Sequence, residues 1–236
     1  MYSWRCSRSN FTFEREKEYM IKAIVGAGGK TSLIKQYVEK YRAQGLKVFV
    51  TTSTHMFIEE DTLLTDDADD ILLELEQKKY VMAGIPVGKK MSALSKATYE
   101  KVCEYADVVL VEADGSKHMP IKFPNENEPV IYDNVDEIVV VCGLHALGRK
   151  VKDVAHRLEL VKKCLNIEDE EIIRANHIQK LVREGYITPL KQKYPDKVIK
   201  ISPSHDGSEE QKRIAWMIQE DADVLDEGFV ACQEEI

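Results

Sequence analysis

A glycine-rich segment, GAGGKT at 26–31, contains the residue types that bind phosphate groups. Glycines at such a turn let backbone N–H groups approach an anion closely, and a helix that begins there adds its positive end. A lysine in this place reaches the outer phosphates of a nucleotide, and the threonine hydroxyl after it ligates Mg²⁺. We therefore predict that Lys30 contacts phosphate and that Thr31 binds the metal.

The segment is shorter than the full phosphate-binding motif, G-x-x-x-x-G-K-[ST]. Ile24 stands where that motif has its first glycine, so the working loop is the stretch from Gly26 to Thr31. The shorter form, G-x-G-G-K-T, resembles the abbreviated loops of Mur-ligase-like ATPases. The alternative is an ordinary strand-to-helix turn, which three glycines would also explain.

Two carboxylates lie in a second segment, VVLVEADGS at 108–116. A carboxylate at the end of a buried strand beside a phosphate loop commonly holds Mg²⁺ or orients an attacking water. Residues two apart on a strand share a face, so Glu112 and Asp114 are predicted to serve one metal and, together with Lys30, catalysis. The alternative is an Asp-Gly turn with solvated acids.

Hydroxyl side chains follow another strand candidate, in the segment TTSTH at 51–55. They fit a strand end on propensity alone; in a nucleotide site they would contact phosphate or a metal-bound water. With them, the predicted nucleotide-binding residues are Gly26, Ala27, Gly28, Gly29, Lys30, Thr31, Ser32, Thr52 and Thr54.

Basic side chains near the same strand ends are predicted to meet an anionic substrate. Each of them alone is more simply a solvated surface charge, and the reason to group them is that they follow neighbouring strands. The candidates are His55, Lys117, Lys122, Arg149, Lys150, His156 and Arg157.

The residues between these segments alternate between apolar runs and amphipathic stretches. Nearly continuous apolar runs are typical of strands that are buried on both faces of a parallel sheet. Strands are predicted at 21–25, 47–52, 80–84, 107–113, 136–143 and 197–202. Helices are predicted at 31–44, after an N-cap at Thr65, after Ser95, and after Ser208, with Gln211 at capping-box spacing.

This alternation predicts an α/β fold with three layers and a doubly wound, mainly parallel sheet. Ligands of such sheets bind beyond the carboxyl ends of the strands. Four polar or glycine-rich segments, the three above and GLHALGRK at 143–150, follow four of the predicted strands, so we expect them to form one site at one edge of the sheet. A single domain is predicted over 20–236, preceded by an N-terminal extension over 1–19.

Composition narrows the class of protein. The 236 residues include 33 Lys or Arg and 41 Asp or Glu, a net charge of −8, whereas nucleic-acid binding needs a basic face. No apolar run approaches the roughly 20 residues of a membrane-spanning helix. Five dispersed cysteines without a Cys-x-x-Cys pair are typical of reduced thiols. We therefore predict a cytoplasmic protein that binds neither nucleic acid nor membrane.

The ordered series VGAGGKTSL, VTTSTHM, LVEADGSKHMPIKFPNENEPVI, VVVCGLHALG and VAHRLEL resembles the YqeC family of selenium-dependent molybdenum hydroxylase accessory proteins. The resemblance covers about residues 20 to 160. His145 stands where the family has an aspartate, in its G-L-D-A-L-G loop, and Leu158 stands where it has the proline of H-R-P-E.

The resemblance implies a P-loop NTPase-like fold and a role in maturing a selenium-dependent molybdenum hydroxylase or its cofactor. It implies phosphate contact by Lys30, Mg²⁺ binding by Thr31, and a metal or catalytic role for Glu112 and Asp114. The nucleotide is ATP or GTP, with ATP as the default because the segment at 202–206 lacks the guanine-reading N-K-x-D motif.

Three functions follow as hypotheses. The first is a Mg²⁺-nucleotide-dependent enzyme, a hydrolase or a phosphoryl or nucleotidyl transferase, that activates a small substrate. The second is a nucleotide-gated chaperone for a client hydroxylase, with little turnover. The third is a nucleotidyl transferase that acts on molybdopterin.

Overall fold

A ten-stranded mixed sheet forms the centre of the protein in a computed structural model that describes residues 19–221 and 229–230. The predicted extension over 1–19 lies outside these residues, except for Tyr19. The described residues form twelve strands, of which β8 and β10 make a separate two-stranded sheet. The strands are β1 Met20–Gly26, β2 Val48–Thr52, β3 His55–Phe57, β4 Thr62–Leu64, β5 Tyr80–Val87, β6 Lys90–Ser92, β7 Val108–Glu112, β8 Ile121–Lys122, β9 Glu137–Gly143, β10 Ala155–His156, β11 Val198–His205 and β12 Phe229–Val230.

Helices connect most of these strands. They are α1 Lys30–Ala43, α2 Ala68–Lys78, α3 Lys96–Cys103, α4 Val151–Val154, α5 Leu158–Leu165, α6 Ala175–Val182, α7 Thr188–Lys193 and α8 Glu209–Asp221, with a 3₁₀ turn at Leu144–Ala146 and a π-helical segment at Arg183–Ile187. None of the described helices is long and apolar enough to cross a membrane.

The order of strands across the sheet is β12–β11–β9–β1–β7–β2–β5–β6–β3, and β4 pairs with β5. Neighbours run parallel except where β6 pairs with β5 and β3. After β1 the chain passes to β2 on one side, and after β9 it passes to β11 on the other. The connections therefore diverge between β1 and β9, and a crevice at such a point is where open α/β sheets bind ligands.

Side chains alternate between the two faces of the sheet and pack into two hydrophobic clusters. Ile21, Ala23 and Val25 of β1 belong to one cluster, together with apolar residues of α2, α3, α5 and α6. Ile24 belongs to the other, with Leu33 and other residues of α1. Helices thus cover both faces, which confirms the predicted α/β class and the mainly parallel sheet.

The predicted strands are all present, and β11 runs three residues further than predicted, to His205. α1 ends at Ala43, one residue before the predicted end, and Gly45 follows its C-cap at a φ of 80°. The N-cap predicted at Thr65 is wrong, because Asp67 caps α2 by accepting from the backbone N–H of Asp69 at 2.8 Å. Ser95 caps α3 as predicted.

We expect the central strands to contribute most to stability. Leu110 on β7 is fully buried, whereas Leu73 on α2 is 60% exposed. Leu110→Ala should lower the free energy of unfolding by about 2–5 kcal/mol, and Leu73→Ala should change it by less than about 0.5 kcal/mol. Urea denaturation measures both, and similar losses for the two variants would contradict the assignment of Leu110 to the core.

Candidate functional site

The loop between β1 and α1 is built around glycines with positive φ angles. Gly26, Gly28 and Gly29 have φ values of 96°, 77° and 130°, which residues with a Cβ rarely adopt. A Cβ on Gly28 would also lie 2.5 Å from the carbonyl oxygen of Pro120 and 2.7 Å from the Cα of Gly143. The loop therefore packs directly against the backbone of two other segments.

The N-terminus of α1 leaves its first backbone N–H groups available. Gly29 is the N-cap and provides no side-chain hydrogen bond, and the first turn of the helix contains no acidic residue. Unpaired N–H groups and the helix dipole together favour an anion at this position.

The side chain of Lys30, the first residue of α1, is buried and folds back across the loop. Its Nζ donates to the carbonyl oxygen of Gly26 at 2.8 Å and to Oδ1 of Asp114 at 2.9 Å. Burial lowers the pKa of Lys30, but the charges of Asp114 and Glu112 more than offset this and raise it above its ordinary value. The lysine is therefore a fixed positive charge beneath the loop.

Asp114 is fully buried and its carboxylate accepts hydrogen bonds from several parts of the chain. The backbone N–H of Gly26 donates to it at 3.0 Å, and the Nζ of Lys122 at 2.9 Å. The hydroxyl of Tyr186, in the π-helical segment, donates at 3.0 Å. Together with Lys30, these partners make Asp114 the anchor of the loop.

The positive charge of Lys122 continues into a further ion pair. Its Nζ also donates to Glu128 at 2.8 Å, and both oxygens of that carboxylate accept from the guanidinium of Arg157. Burial raises the pKa of Glu128, but the hydrogen bonds from Arg157 and Lys122 prevail and lower it from 4.5 to about 2. A connected row of alternating charges thus supports the loop from behind.

Glu112, the last residue of β7, occupies a different position from Asp114. Its carboxylate oxygen lies 3.9 Å from the Nζ of Lys30. Burial raises the pKa of Glu112 above its ordinary value, and the positive charge of Lys30 partly opposes that shift. The raised pKa suits a proton acceptor, and the deprotonated carboxylate supplies oxygen ligands of the kind that a metal ion takes.

The hydroxyls of the TTSTH segment hold strand ends together. The hydroxyl of Thr52 donates to the carbonyl oxygen of Glu112 at 2.7 Å, and that of Ser53 donates to the carbonyl oxygen of Val130 at 2.6 Å. The backbone N–H of Thr54 donates to Thr52. These bonds connect the segment to Glu112, and contact of Thr52 and Thr54 with a nucleotide stays a prediction.

A cavity of about 860 Å³ lies against the loop and receives residues from all four predicted segments. The predicted site residues that line it are Gly28, Gly29, Lys30, Thr31, Ser32, His55, Glu112 and Lys117. Its volume is within the range of small-molecule sites, roughly 300–1,000 Å³. The expectation that the strand ends form one site is therefore met by the geometry.

Other predicted residues lie outside the cavity lining. Asp114 is beneath the loop, and a cation could reach it only by displacing Lys30 or Lys122; its metal role stays a prediction. Arg157 is held by Glu128, and Lys150 pairs with Glu170 at 2.6 Å. The remaining predicted residues that do not line the cavity are Gly26, Ala27, Thr52, Thr54, Lys122, Arg149 and His156.

Other lining residues were not predicted as site residues, although Met56, Gly115, Ser116, His118 and His145 lie inside the quoted motifs. The additional lining residues are Lys35, Met56, Phe57, Glu59, Lys90, Gly115, Ser116, His118, His145, Ser204, His205 and Asp206. Ser204 and His205 are the last residues of β11, whose end was predicted three residues too early, and Asp206 follows that strand. Phe57 and Lys90 come from the short antiparallel strands β3 and β6, which the apolar patterns did not predict.

The cavity concentrates titratable side chains. Four of the six histidines of the chain line it. So do four lysines and three acids, in a chain whose net charge is −8. No group of three or more His, Cys, Asp or Glu in the described ranges is arranged to hold a metal ion, so a metal here would need ligands from a bound molecule as well.

Comparisons with known proteins agree with the sequence motifs. A family model described as YqeC protein matches residues 22–159. A protein of Escherichia coli strain K12, named "Uncharacterized protein YqeC", is 31% identical over 181 residues. That match covers 71% of this chain and 69% of the Escherichia coli protein.

Gly28 and Gly45 provide a matched pair for testing the close approach at the loop. Both have positive φ angles, but a Cβ on Gly45 would meet no atom within 4 Å. Gly45→Ala should cost about 1–2 kcal/mol of unfolding free energy for its backbone conformation alone. Gly28→Ala should cost a further 1–3 kcal/mol or so for the steric overlap. Urea unfolding measures the difference, and equal losses would show that the loop has room to move.

The charge row predicts how stability depends on pH. The pKa of Glu128 is about 2 in the folded protein and 4.5 ordinarily. Its ionised carboxylate therefore stabilises the fold above pH 4.5, and this contribution to the free energy of unfolding is lost as pH falls toward 2. Glu128→Gln should therefore be less stable than the wild type at pH 7, and the difference should shrink between pH 4.5 and 2. Urea midpoints across this range measure it. The exposed Glu60→Gln variant serves as control, and a difference independent of pH would contradict the role of the ion pairs.

Proposed function

This chain belongs to the YqeC family, and we propose that it binds a magnesium nucleotide at the GAGGKT loop through a P-loop NTPase-like fold. One observation carries the proposal: Lys30, Thr31 and Glu112 line the same cavity as the glycine loop, and the Nζ of Lys30 lies 3.9 Å from the carboxylate of Glu112. The position of the loop, where the connections of the sheet diverge, supports it further.

The anion-binding part of the site is supported by the loop and its surroundings. The free N–H groups at the start of α1 and the ammonium of Lys30 provide the donors that phosphate oxygens need. The cavity has four lysines against three carboxylates, which favours an anionic ligand in an otherwise acidic chain. Phosphate binding would bring Lys30 away from Gly26, while Asp114 keeps its position.

The oxygen donors in the cavity fit Mg²⁺. Magnesium takes one or two protein oxygens and fills its other positions with phosphate oxygens and water, which agrees with the small number of metal ligands found here. The hydroxyl of Thr31 and the carboxylate of Glu112 would hold it, and the ion would neutralise charge on the phosphates. Lys30 then adds a second positive charge, and positioning and charge carry the catalysis.

We further propose that the nucleotide drives a reaction on a small, cofactor-like substrate in the maturation of a selenium-dependent molybdenum hydroxylase. The cavity supports an enzyme because its volume of about 860 Å³ is larger than a phosphate group needs and leaves room for a substrate. ATP is the proposed nucleotide, since Ser202–Asp206 lacks a guanine-reading motif.

Removal of the lysine tests the nucleotide site. Lys30→Ala should weaken binding of Mg²⁺-ATP by about tenfold or more, because a charge-assisted hydrogen bond contributes about 1.5–3 kcal/mol. Isothermal titration calorimetry measures the affinity. Unchanged affinity in a folded variant would end the proposal.

Two further variants separate binding from folding. Lys30→Ala removes one of the positive partners of the buried Asp114 and can therefore destabilise the protein. The thermal unfolding of this variant must be recorded beside the calorimetry. Thr31→Val removes an exposed hydroxyl that would ligate Mg²⁺. It should weaken ATP binding when Mg²⁺ is present and leave the affinity measured in EDTA unchanged. Lys96→Ala, exposed on α3 and outside the cavity, serves as the control and should bind like the wild type.

A further inference from the structure

The cavity extends to both sides of the glycine loop, and its two ends are chemically different. On one side it is lined by Ser204, His205 and Asp206 at the end of β11. On the other side it is lined by Phe57 of β3, Lys90 of β6 and the neighbouring His118. We refer to these as the β11 end and the β3–β6 end.

The order of strands sets the spacing of the two ends. β11 lies two strands from β1 on one side, which corresponds to about 10 Å at a strand separation of about 4.8 Å. β6 and β3 lie beyond β7, β2 and β5 on the other side. A nucleotide with its phosphates at the loop can reach one end but leaves the other unfilled.

The β11 end contains a buried hydroxyl without a hydrogen-bond partner. Ser204 is fully buried, and its Oγ makes no hydrogen bond to any described residue. Buried polar atoms in native proteins are nearly always paired, and an orphaned one is unfavourable. Because Ser204 lines the cavity, a polar atom of a ligand can supply the missing partner.

His205, the next residue of β11, also lines the cavity and adds a hydrogen-bond donor to this end. The backbone N–H of Gly207 donates to Nδ1 of His205 at 3.1 Å, so in the neutral ring the proton is on Nε2. Burial lowers the pKa of His205, and the nearby Lys212 contributes to the same shift, although Asp206 opposes it. The hydroxyl of Ser204 and the Nε2–H of His205 are therefore two polar groups of this end that can hydrogen-bond to a heterocycle.

The β3–β6 end presents aromatic surface instead. The rings of Phe57 and His118 stack with their centroids 4.8 Å apart and an interplanar angle of 28°. Phe57 is nevertheless 44% exposed, and the Nζ of Lys90 lies 4.6 Å from its ring centroid. Lys117 and His118 both have positive φ angles, of 50° and 60°, a costly conformation for non-glycine residues that holds these side chains at the cavity.

We infer that the cavity holds two ligands at once, with the glycine loop between them. The nucleobase lies at Ser204 and His205, and a second, planar aromatic ligand with a negative charge lies at Phe57, His118 and Lys90. Stacking on the exposed rings binds the plane of the second ligand, and the ammonium of Lys90 binds its charge. The inference rests on the proposed function, since the phosphates at the loop define which end is left for the second ligand.

The nucleobase end is tested with three probes: Mg²⁺-ATP, Mg²⁺-GTP and Mg²⁺-tripolyphosphate, which has no base. Ser204→Ala should weaken binding of at least one nucleotide by about fivefold or more, and change the ratio of the two affinities. It should leave tripolyphosphate binding unchanged. It should also raise the melting temperature of the ligand-free protein by about 2–4 °C, because the orphaned hydroxyl is removed.

Ser202→Ala is the matched control for this end. Ser202 is buried on the same strand but lies outside the cavity lining, so its removal should not affect nucleotide binding. If the wild type binds neither nucleotide nor tripolyphosphate, the proposed function fails. If it binds them and Ser204→Ala leaves every affinity unchanged, the proposed function stands and the nucleobase assignment is overturned.

The second end is tested with quinoline-2-carboxylate and its neutral analogue, quinoline-2-carboxamide, by saturation-transfer NMR in the presence of saturating Mg²⁺-AMPPNP. The carboxylate should bind more tightly than the carboxamide. Phe57→Leu should abolish the signal of both, and Lys90→Gln should remove only the preference for the carboxylate. Neither variant should change the calorimetric affinity for Mg²⁺-ATP, and the neighbouring Lys89→Gln should resemble the wild type.

Three results would overturn the assignment of the second ligand. The first is that neither quinoline binds the wild type. The second is that binding survives in Phe57→Leu. The third is displacement of the quinoline by Mg²⁺-AMPPNP, which would show that one ligand occupies both ends.

Discussion

The buried carboxylate of Asp114 is the interaction on which the arrangement of the site depends. It joins the backbone of Gly26, the ammonium groups of Lys30 and Lys122, and the hydroxyl of Tyr186. A buried carboxylate is tolerated only when charges and donors compensate it. The glycine loop, β8 and the helical segments after β10 are therefore held in one relation to each other, and Lys30 cannot be displaced without a competing anion.

Local sequence patterns were sufficient for the framework of the protein. The apolar runs predicted the main strands, and the segment GAGGKT predicted the loop and the start of α1. We predicted that Glu112 and Asp114 share a face because residues two apart on a strand do so. That rule applies only while the strand continues. β7 ends at Glu112, so Glu112 lines the cavity while Asp114 turns beneath the loop.

The rest of the site could not be predicted because it depends on contacts between distant segments. Phe57, Lys90 and His118 meet through two short antiparallel strands and a turn with left-handed residues, none of which has a distinct apolar pattern. Ser204 and His205 reach the cavity because β11 extends past its predicted end. The partners of Asp114 come from positions between 26 and 186, and only the folded chain shows that one carboxylate collects them.

The hydrogen bond from Tyr186 to Asp114 means that the glycine loop depends on a residue far along the chain. The family match ends at residue 159 and includes Lys30, Asp114, Lys122, Glu128 and Arg157. Tyr186 lies outside it and closes the burial around Asp114 from the far side. A fragment trimmed to the matched region would keep each recognisable motif while it opened that carboxylate to solvent. The region that the family model matches is thus shorter than the part of the chain that encloses Asp114.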